Sequence, residues 1–507
     1  MQPNALPRVL LLATLLTTAL ASTGRACAQE VAASLVDQAR AAARANRNGE
    51  AADLFARAIS LEPVRRHALL REYADQLTYS SRSRLAVPLY RELLSGARDR
   101  SVRLQLLKGL GLALLRSDRP GEAANVYADV LSLDPADADA QGNHARALAW
   151  SSRPRAAATA LGAWMSANPD DAEARRLLAQ VQSWLGQPHL AQATLSALPD
   201  DDASALALRG RLEHLASPLA RIEFADSSQS DRLNIQQASL TYEHPLEHGR
   251  GAVGVQFEHL RFESHDGRRV DIDRPLALGR YRISEAWEIN SRLGSDRVDL
   301  GTGGGYTRFV HSTWVTWWPS DLLRFDLSAG RMTFDSLRAL DLGLTARTLG
   351  LSADIVPDER RRASVRVERA DISDRNRRDR QQLSAEQRVS LSLGAWVGAR
   401  WTAFSFDRQL DNGYFNPQRL HSPQVTFRMS PRRLDDDRWD IALESAWGRE
   451  YAEPGGTQPA WEFGAIGGVR LARDWRLQAG WRRFSTRTSA LSGFERTTAN
   501  IALEGRW

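Results

Sequence analysis

The chain has 507 residues, a net charge of +6, 43% hydrophobic and 25% charged residues, and a mean hydropathy of -0.41. The length calls for two or three units, and the negative hydropathy excludes a bundle of membrane helices but not a β-barrel, whose polar lumen dilutes the average. Lys108 is the only lysine, and the arginines alternate with Asp and Glu along the whole chain, so the continuous basic patch that nucleic acid needs is missing.

Arg8 is the only charge before the apolar run Val9–Ala21, which is the length of an export-signal core and too short to span a bilayer. Ala26-Cys27-Ala28 follows as a small-x-small cleavage site, so residues 1–28 are expected to be a signal peptide and the mature chain to start at Gln29. Ala26-Cys27 is also half of a lipidation site, but Arg25 fits that pattern poorly. No later segment reaches the run of about 18 apolar residues that a transmembrane helix needs.

Residues 29–217 repeat themselves. Ala123, Ala157 and Ala191 are each 34 positions apart, as are Pro135 and Pro169, and as are Gly111, Ala145 and Ala179. Ala39, Ala51, Phe55, Ala58 and Pro63 occupy the same relative positions in an earlier unit, and Tyr127 takes the place of Phe55. Small residues where two helices cross, a bulky one where they pack and Pro where the second helix stops make the 34-residue tetratricopeptide pattern. Five units are expected, closed by a helix over Asp202–Leu215, and such stacks offer a concave surface to a protein partner.

Near Pro218 the period changes to two. Trp461, Phe463, Ala465, Gly467 and Val469 alternate with Glu462, Gly464, Gly468 and Arg470, with Ile466 the exception. About sixteen such runs fill residues 218–507, each the length of a tilted membrane strand, with Arg282–Glu285 readable as a bend inside one of them. The expected fold is thus multidomain: an N-terminal all-α tetratricopeptide solenoid and a C-terminal antiparallel transmembrane β-barrel. Short links (Pro319–Asp321, Pro357–Arg360, Leu391–Leu393, Arg433–Asp436, Arg473–Asp474) alternate with longer ones (Gln409–Gln418, Ala452–Gln458, Thr486–Gly493). The short set is expected to face the periplasm, with the repeats, and the barrel to sit in the outer membrane. The final run sets Ile501, Leu503 and Trp507 against Glu504 and Arg506, the aromatic-terminated strand read by the barrel-assembly machinery.

By alternation the lumen face should carry Arg324, Asp326, Arg366, Glu368, Arg400, Asp440, Glu444, Glu462, Arg470, Arg476 and Arg482. Their mixed charge suits a hydrated chain-like substrate, and the excess of arginine disfavours a strongly cationic one. There is no His-Glu-x-x-His, no Gly-x-Ser-x-Gly and no Lys-Ser/Thr after GTGGG at 301–305, so no catalytic residue, cofactor, nucleotide or metal is implied. His144, His189 and His311 read as packing or solvent-facing groups.

In order of parts the chain resembles the exopolysaccharide export porins of Gram-negative bacteria. LLREYADQLTYSSRSRLAVPLYRELL at Leu69–Leu94, SDRNRR at Ser373–Arg378 and DNGYFNP at Asp411–Pro417 are similar to segments of that family. The resemblance implies a barrel that carries a polysaccharide such as poly-N-acetylglucosamine or cellulose across the outer membrane. It also implies repeats that recruit periplasmic synthesis or modification proteins. Surface-protein export, a phage or adhesion receptor and an outer-membrane hydrolase are the alternatives. The sequence leaves open whether a loop folds into the pore.

Overall fold

The computed structural model describes residues 29–301, 303–390, 392–431, 438–488 and 495–507. The expected signal peptide, the link at Arg433–Asp436, Leu391 and most of the link at Thr486–Gly493 lie outside the described residues.

Among the described residues eleven helices come first: α1 (29–44), α2 (Asn48–Leu61), α3 (Arg66–Tyr79), α4 (Ser83–Gly96), α5 (Arg100–Arg116), α6 (Pro120–Leu133), α7 (Ala138–Trp150), α8 (Pro154–Ala167), α9 (Ala172–Trp184), α10 (Pro188–Leu195) and α11 (Ala203–Leu215). They form five hairpins and a closing helix. Ala39, Ala51, Phe55, Ala58, Ala123, Tyr127, Ala145, Ala157, Ala179 and Ala191 are all buried. Gly111 is needed for contact: a Cβ there would lie 2.7 Å from the Tyr127 ring. Pro63, Pro135 and Pro169 sit in the turns that follow α2, α6 and α8.

Two local signals set the helix starts. Asp99, Asp137, Asp171 and Asp202 cap α5, α7, α9 and α11, each accepting from a backbone N–H two or three residues on. Each such cap contributes about 1 kcal/mol. Proline opens α6, α8 and α10, where its missing N–H would be unpaired anyway.

The described residues divide into two compact units, 29–151 with 156–169 and 152–155 with those from 170 on. The helix-to-strand change at 217/218 is therefore not the boundary of compactness, because α9–α11 belong with the barrel.

The barrel strands are β1 (Leu219–Gln229), β2 (Leu233–Leu246), β3 (Gly251–Ser264), β4 (Arg269–Arg282), β5 (Trp287–Asp299), β6 (Gly305–Trp317), β7 (Leu323–Thr333) and β8 (Thr345–Asp358). The second half is β9 (Arg361–Ile372), β10 (Arg377–Ser390), β11 (Ala395–Phe406), β12 (Arg419–Met429), β13 (Trp439–Glu453), β14 (Gly456–Arg470), β15 (Trp475–Phe484) and β16 (Arg496–Arg506). Each pairs antiparallel with its sequence neighbours, and β1 pairs with β16 from Leu219↔Arg506 to Gln229↔Arg496, closing the sheet. Closure removes both edges, which is what a sheet in lipid requires.

The outer face is a continuous apolar band, including Phe224, Leu240, Val255, Leu351, Val367, Val425, Phe463 and Ile501, all exposed. Aromatic rings edge it. Trp317 stacks on Trp287 at 5.5 Å and on Phe325 at 5.4 Å at the end bearing α9–α11, and Trp507 lies 6.5 Å from Tyr242. These rings form the aromatic girdle of a membrane barrel at that end.

Residues 283–286 are the turn between β4 and β5, so the count of sixteen stands and the alternative of a bend inside one strand falls away. One expectation about the links is corrected. Ala452–Gln458 is not a long link, since β13 runs to Glu453 and β14 begins at Gly456. Gly455 and Gly456 both have positive φ, which lets the strands pair up to Ala452↔Gly456 around a three-residue turn. The sequence reading also passed over 334–344, where a short helix, α12 (Leu337–Asp341), interrupts the link between β7 and β8.

Candidate functional site

The register puts all eleven predicted residues on the face opposite the apolar band. Arg324 pairs with Asp326 at 3.0 Å, Glu368 with Arg378 at 2.7 Å and Arg400 with Glu462 at 2.7 Å. Asp440 reaches Arg476 at 2.6 Å and Glu444 reaches Arg482 at 3.2 Å, each pair bridging from β13 to β15 across β14. Glycine makes the first bridge possible, because a Cβ at Gly468 would lie 2.7 Å from both Asp440 and Arg476. Arg366 and Arg470 have no ion-pair partner among the described residues.

The same alternation places further groups in the lumen that the sequence reading left unnamed. On β9–β12 these are Arg362, Arg378, Arg380, Glu386, Arg388, Trp396 and Arg428. Three of the arginines surround the Trp396 ring, Arg362 at 3.9 Å, Arg388 at 4.5 Å and Arg428 at 5.9 Å. Glu386 accepts from Arg362 and from Arg428. Over the sixteen strands, nineteen arginines and fourteen carboxylates take inward positions, and β9–β12 hold seven of those arginines with only two of the carboxylates.

One inward cluster is largely enclosed. Arg274 on β4 donates to Asp296 at 2.5 and 3.0 Å and to Glu258 at 3.0 Å, and Asp296 also accepts from Thr333 at 2.6 Å. Asp296 is 0% exposed.

At the end of the barrel away from α9–α11 the lumen is not polar. Leu340 of α12 packs against Leu233, Phe262, Val270, Ile272 and Val298, the inward residues of β2–β5. Ala339 and Phe334 pack on the other side against Phe404, Phe406, Tyr414 and Leu420. The link 407–418 rests on α12: Ser336 donates to the Gly413 carbonyl at 2.5 Å, and a Cβ at Gly413 would lie 2.7 Å from Arg338. Asp341 pairs with Arg268 and Asp335 with Arg496, so charges pin α12 to β16 and to the link between β3 and β4. Tyr414 donates to Asp374 at 2.7 Å and accepts from Asn376 at 3.0 Å. Burial, and then Asp374, push its phenol well above its ordinary pKa, so it stays a donor. The link 334–344 thus folds into the lumen, a point the sequence left open, and an apolar collar spans this end. Beneath it lies a cavity of about 740 Å³ lined by Phe262, Arg274, Phe334, Glu444, Arg482 and Asn500.

At the other end the terminal helices are fastened to the turns. A Cβ at Gly249 would lie 2.7 Å from Pro188 at the start of α10. His214 of α11 lies 3.5 Å from Asp474, and Arg506 donates to the Leu215 carbonyl at 3.3 Å. Arg155 donates from its backbone to Asp321 at 2.8 Å and from its side chain to the Glu285 carbonyl at 2.8 Å. Burial lowers the pKa of its guanidinium.

A closed sixteen-strand sheet with an apolar exterior and a charged interior is a membrane-spanning transport barrel, and here it follows a helical repeat domain. Residues 114–181 match the tetratricopeptide repeat family, and residues 220–457 match the family described as PgaA membrane beta barrel domain. The chain therefore joins residues that match the tetratricopeptide repeat family to residues that match the PgaA barrel-domain family. No curated protein matches it. Similar solved structures include one described as a bacterial polysaccharide outer membrane secretin, at 16% identity over 57% of this chain and 98% of that one, TM-score 0.46. OccK7 (OpdD) from Pseudomonas aeruginosa has 10% identity over 57% of this chain and 98% of that one, TM-score 0.34. YrrB, a TPR protein with an unusual peptide-binding site, has 16% identity over 35% of this chain and 90% of that one, TM-score 0.29.

Proposed function

We propose that this protein exports an exopolysaccharide through its barrel, with the repeats recruiting a periplasmic partner that makes or modifies the polymer. The observation that carries the reading is the lumen: every strand turns polar or charged side chains inward along a barrel wide enough for a chain-like solute. The match to the PgaA barrel family supports the same substrate class. In this reading the signal at residues 1–28 takes the chain to the periplasm. The repeats stay there, on the side where outer-membrane barrels keep their short turns. The driving force is polymer synthesis at the inner membrane, and no cofactor enters.

Open lumen positions are the place to test it. Glu444→Trp and Arg470→Trp are expected to cut surface polymer sharply while leaving the amount of folded barrel unchanged. Normal surface polymer in both variants would sink the lumenal route.

Assembly should depend on β16. Ile501 and Leu503 are on its outer face and the Trp507 backbone donates to the Pro218 carbonyl at 3.3 Å, which completes closure. Deleting Trp507 is expected to lower the heat-modifiable, membrane-inserted fraction several-fold. An undiminished fraction would show that the assembly machinery does not read this residue.

A further inference from the structure

The lumen charges are not evenly neutralised. Asp440, Glu444 and Glu462 each have an arginine within 4 Å, from β11 or β15, so these carboxylates of β13 and β14 are neutralised. A quarter-turn round the barrel, on β9 and β10, the balance fails. On β10, Arg378 takes Glu368, which leaves Arg380 on the same strand with only the amide oxygen of Gln382, at 3.3 Å. Arg366, two positions before Glu368 on β9, is exposed to the lumen, and neither it nor Arg380 has an ion pair among the described residues.

We propose that the inward face of β9 and β10, centred on Arg366 and Arg380, is a binding track for a carboxylated polysaccharide. Uncompensated guanidinium groups inside a low-dielectric wall concentrate anions and exclude cations. Arginine suits a sugar carboxylate in particular, because its planar fork makes two parallel, charge-assisted hydrogen bonds. Inward positions on one strand recur about every 6.6 Å, and Gln382 stands directly across from Arg366, so a carboxylate and neighbouring hydroxyls are engaged by adjacent groups. Ser364 and Ser384, hydrogen-bonded to each other at 2.7 Å on the next rung, supply further partners for hydroxyls. The inference rests on the export reading and narrows it from polysaccharides in general to acidic ones.

The test is a titration of the full-length protein in detergent with three probes: hexagalacturonate, maltohexaose and a fully deacetylated chitosan hexamer. Hexagalacturonate is expected to bind best, and to weaken as salt is raised. Arg366→Gln with Arg380→Gln should weaken it about tenfold or more, since two charged hydrogen-bonding groups are lost. Arg366→Lys with Arg380→Lys should retain much of the binding, and a heat-modifiable band verifies that each variant is folded. Equal binding of the uronate and the neutral hexamer, stronger binding of chitosan, or no effect of the glutamine pair would overturn the proposal. Its failure is separable from failure of export. A strain lacking the chain that retains a neutral polymer in the periplasm would leave export standing and remove the acidic track. Unchanged secretion in that strain would remove export, and with it the biological role of the track.

Discussion

Excising residues 334–344 is expected to raise the single-channel conductance of the purified protein several-fold. The cut is clean, because Thr333 and Thr345 are cross-strand partners and a two-residue Asn-Gly turn can rejoin β7 to β8. What it removes is the span of the collar. Leu340 is the apolar anchor on one side of the lumen and Ala339 with Phe334 on the other, and all three are buried. Without them the link 407–418 loses its contact at Gly413, and both clusters open to water. Leu340→Asp should act in the same direction with the chain length unchanged, since it buries a carboxylate among Phe262, Val270 and Ile272. Conductance equal to that of the intact protein in both variants would mean that the narrowest point lies elsewhere in the lumen.

The second large effect is on stability. Arg274→Met leaves Asp296 and Glu258 enclosed and facing each other with no counter-charge, and losing one partner of a buried ion pair costs about 3–5 kcal/mol. The loss should appear as a lower urea midpoint in tryptophan-monitored unfolding of the barrel. Adding Asp296→Leu should restore part of it, because the remaining charge is then a single carboxylate on Glu258. The cluster also holds Thr333, where the chain leaves the wall for α12, so conductance of the single variant should be noisier than that of the parent. An unchanged midpoint would show that water reaches Asp296.

The barrel was legible because lipid imposes alternation on every strand. Ile466, the one break noticed in β14, does point inward, yet it left the register of Glu462 and Arg470 intact. The repeats were legible through residues that cannot be larger, such as Gly111 against Tyr127. What was missed has a common physical character. The inward positions of Arg362, Arg380 and Trp396 follow from the same parity as Arg366, but a strand's share of arginine becomes informative only once its neighbours are known. Which carboxylates remain free depends on bridges such as Asp440 to Arg476, which cross a whole strand. The collar was missed for a different reason. Leu337, Leu340 and Leu344 sit in a link, where three apolar residues at helical spacing were a sign that the segment is covered. Only the closed barrel shows that β2–β5 and β8–β12 supply the cover from both sides. The Pro454–Gly455 turn was overread because Pro and Gly mark both long loops and tight turns.

The central claim is that a polysaccharide leaves the cell through this barrel. It is tested most directly by comparing extracellular with periplasmic polysaccharide in a strain lacking the chain. Loss outside together with accumulation inside, both reversed by the intact gene and not by the Glu444→Trp form, is the predicted result. Unchanged extracellular polymer would contradict it.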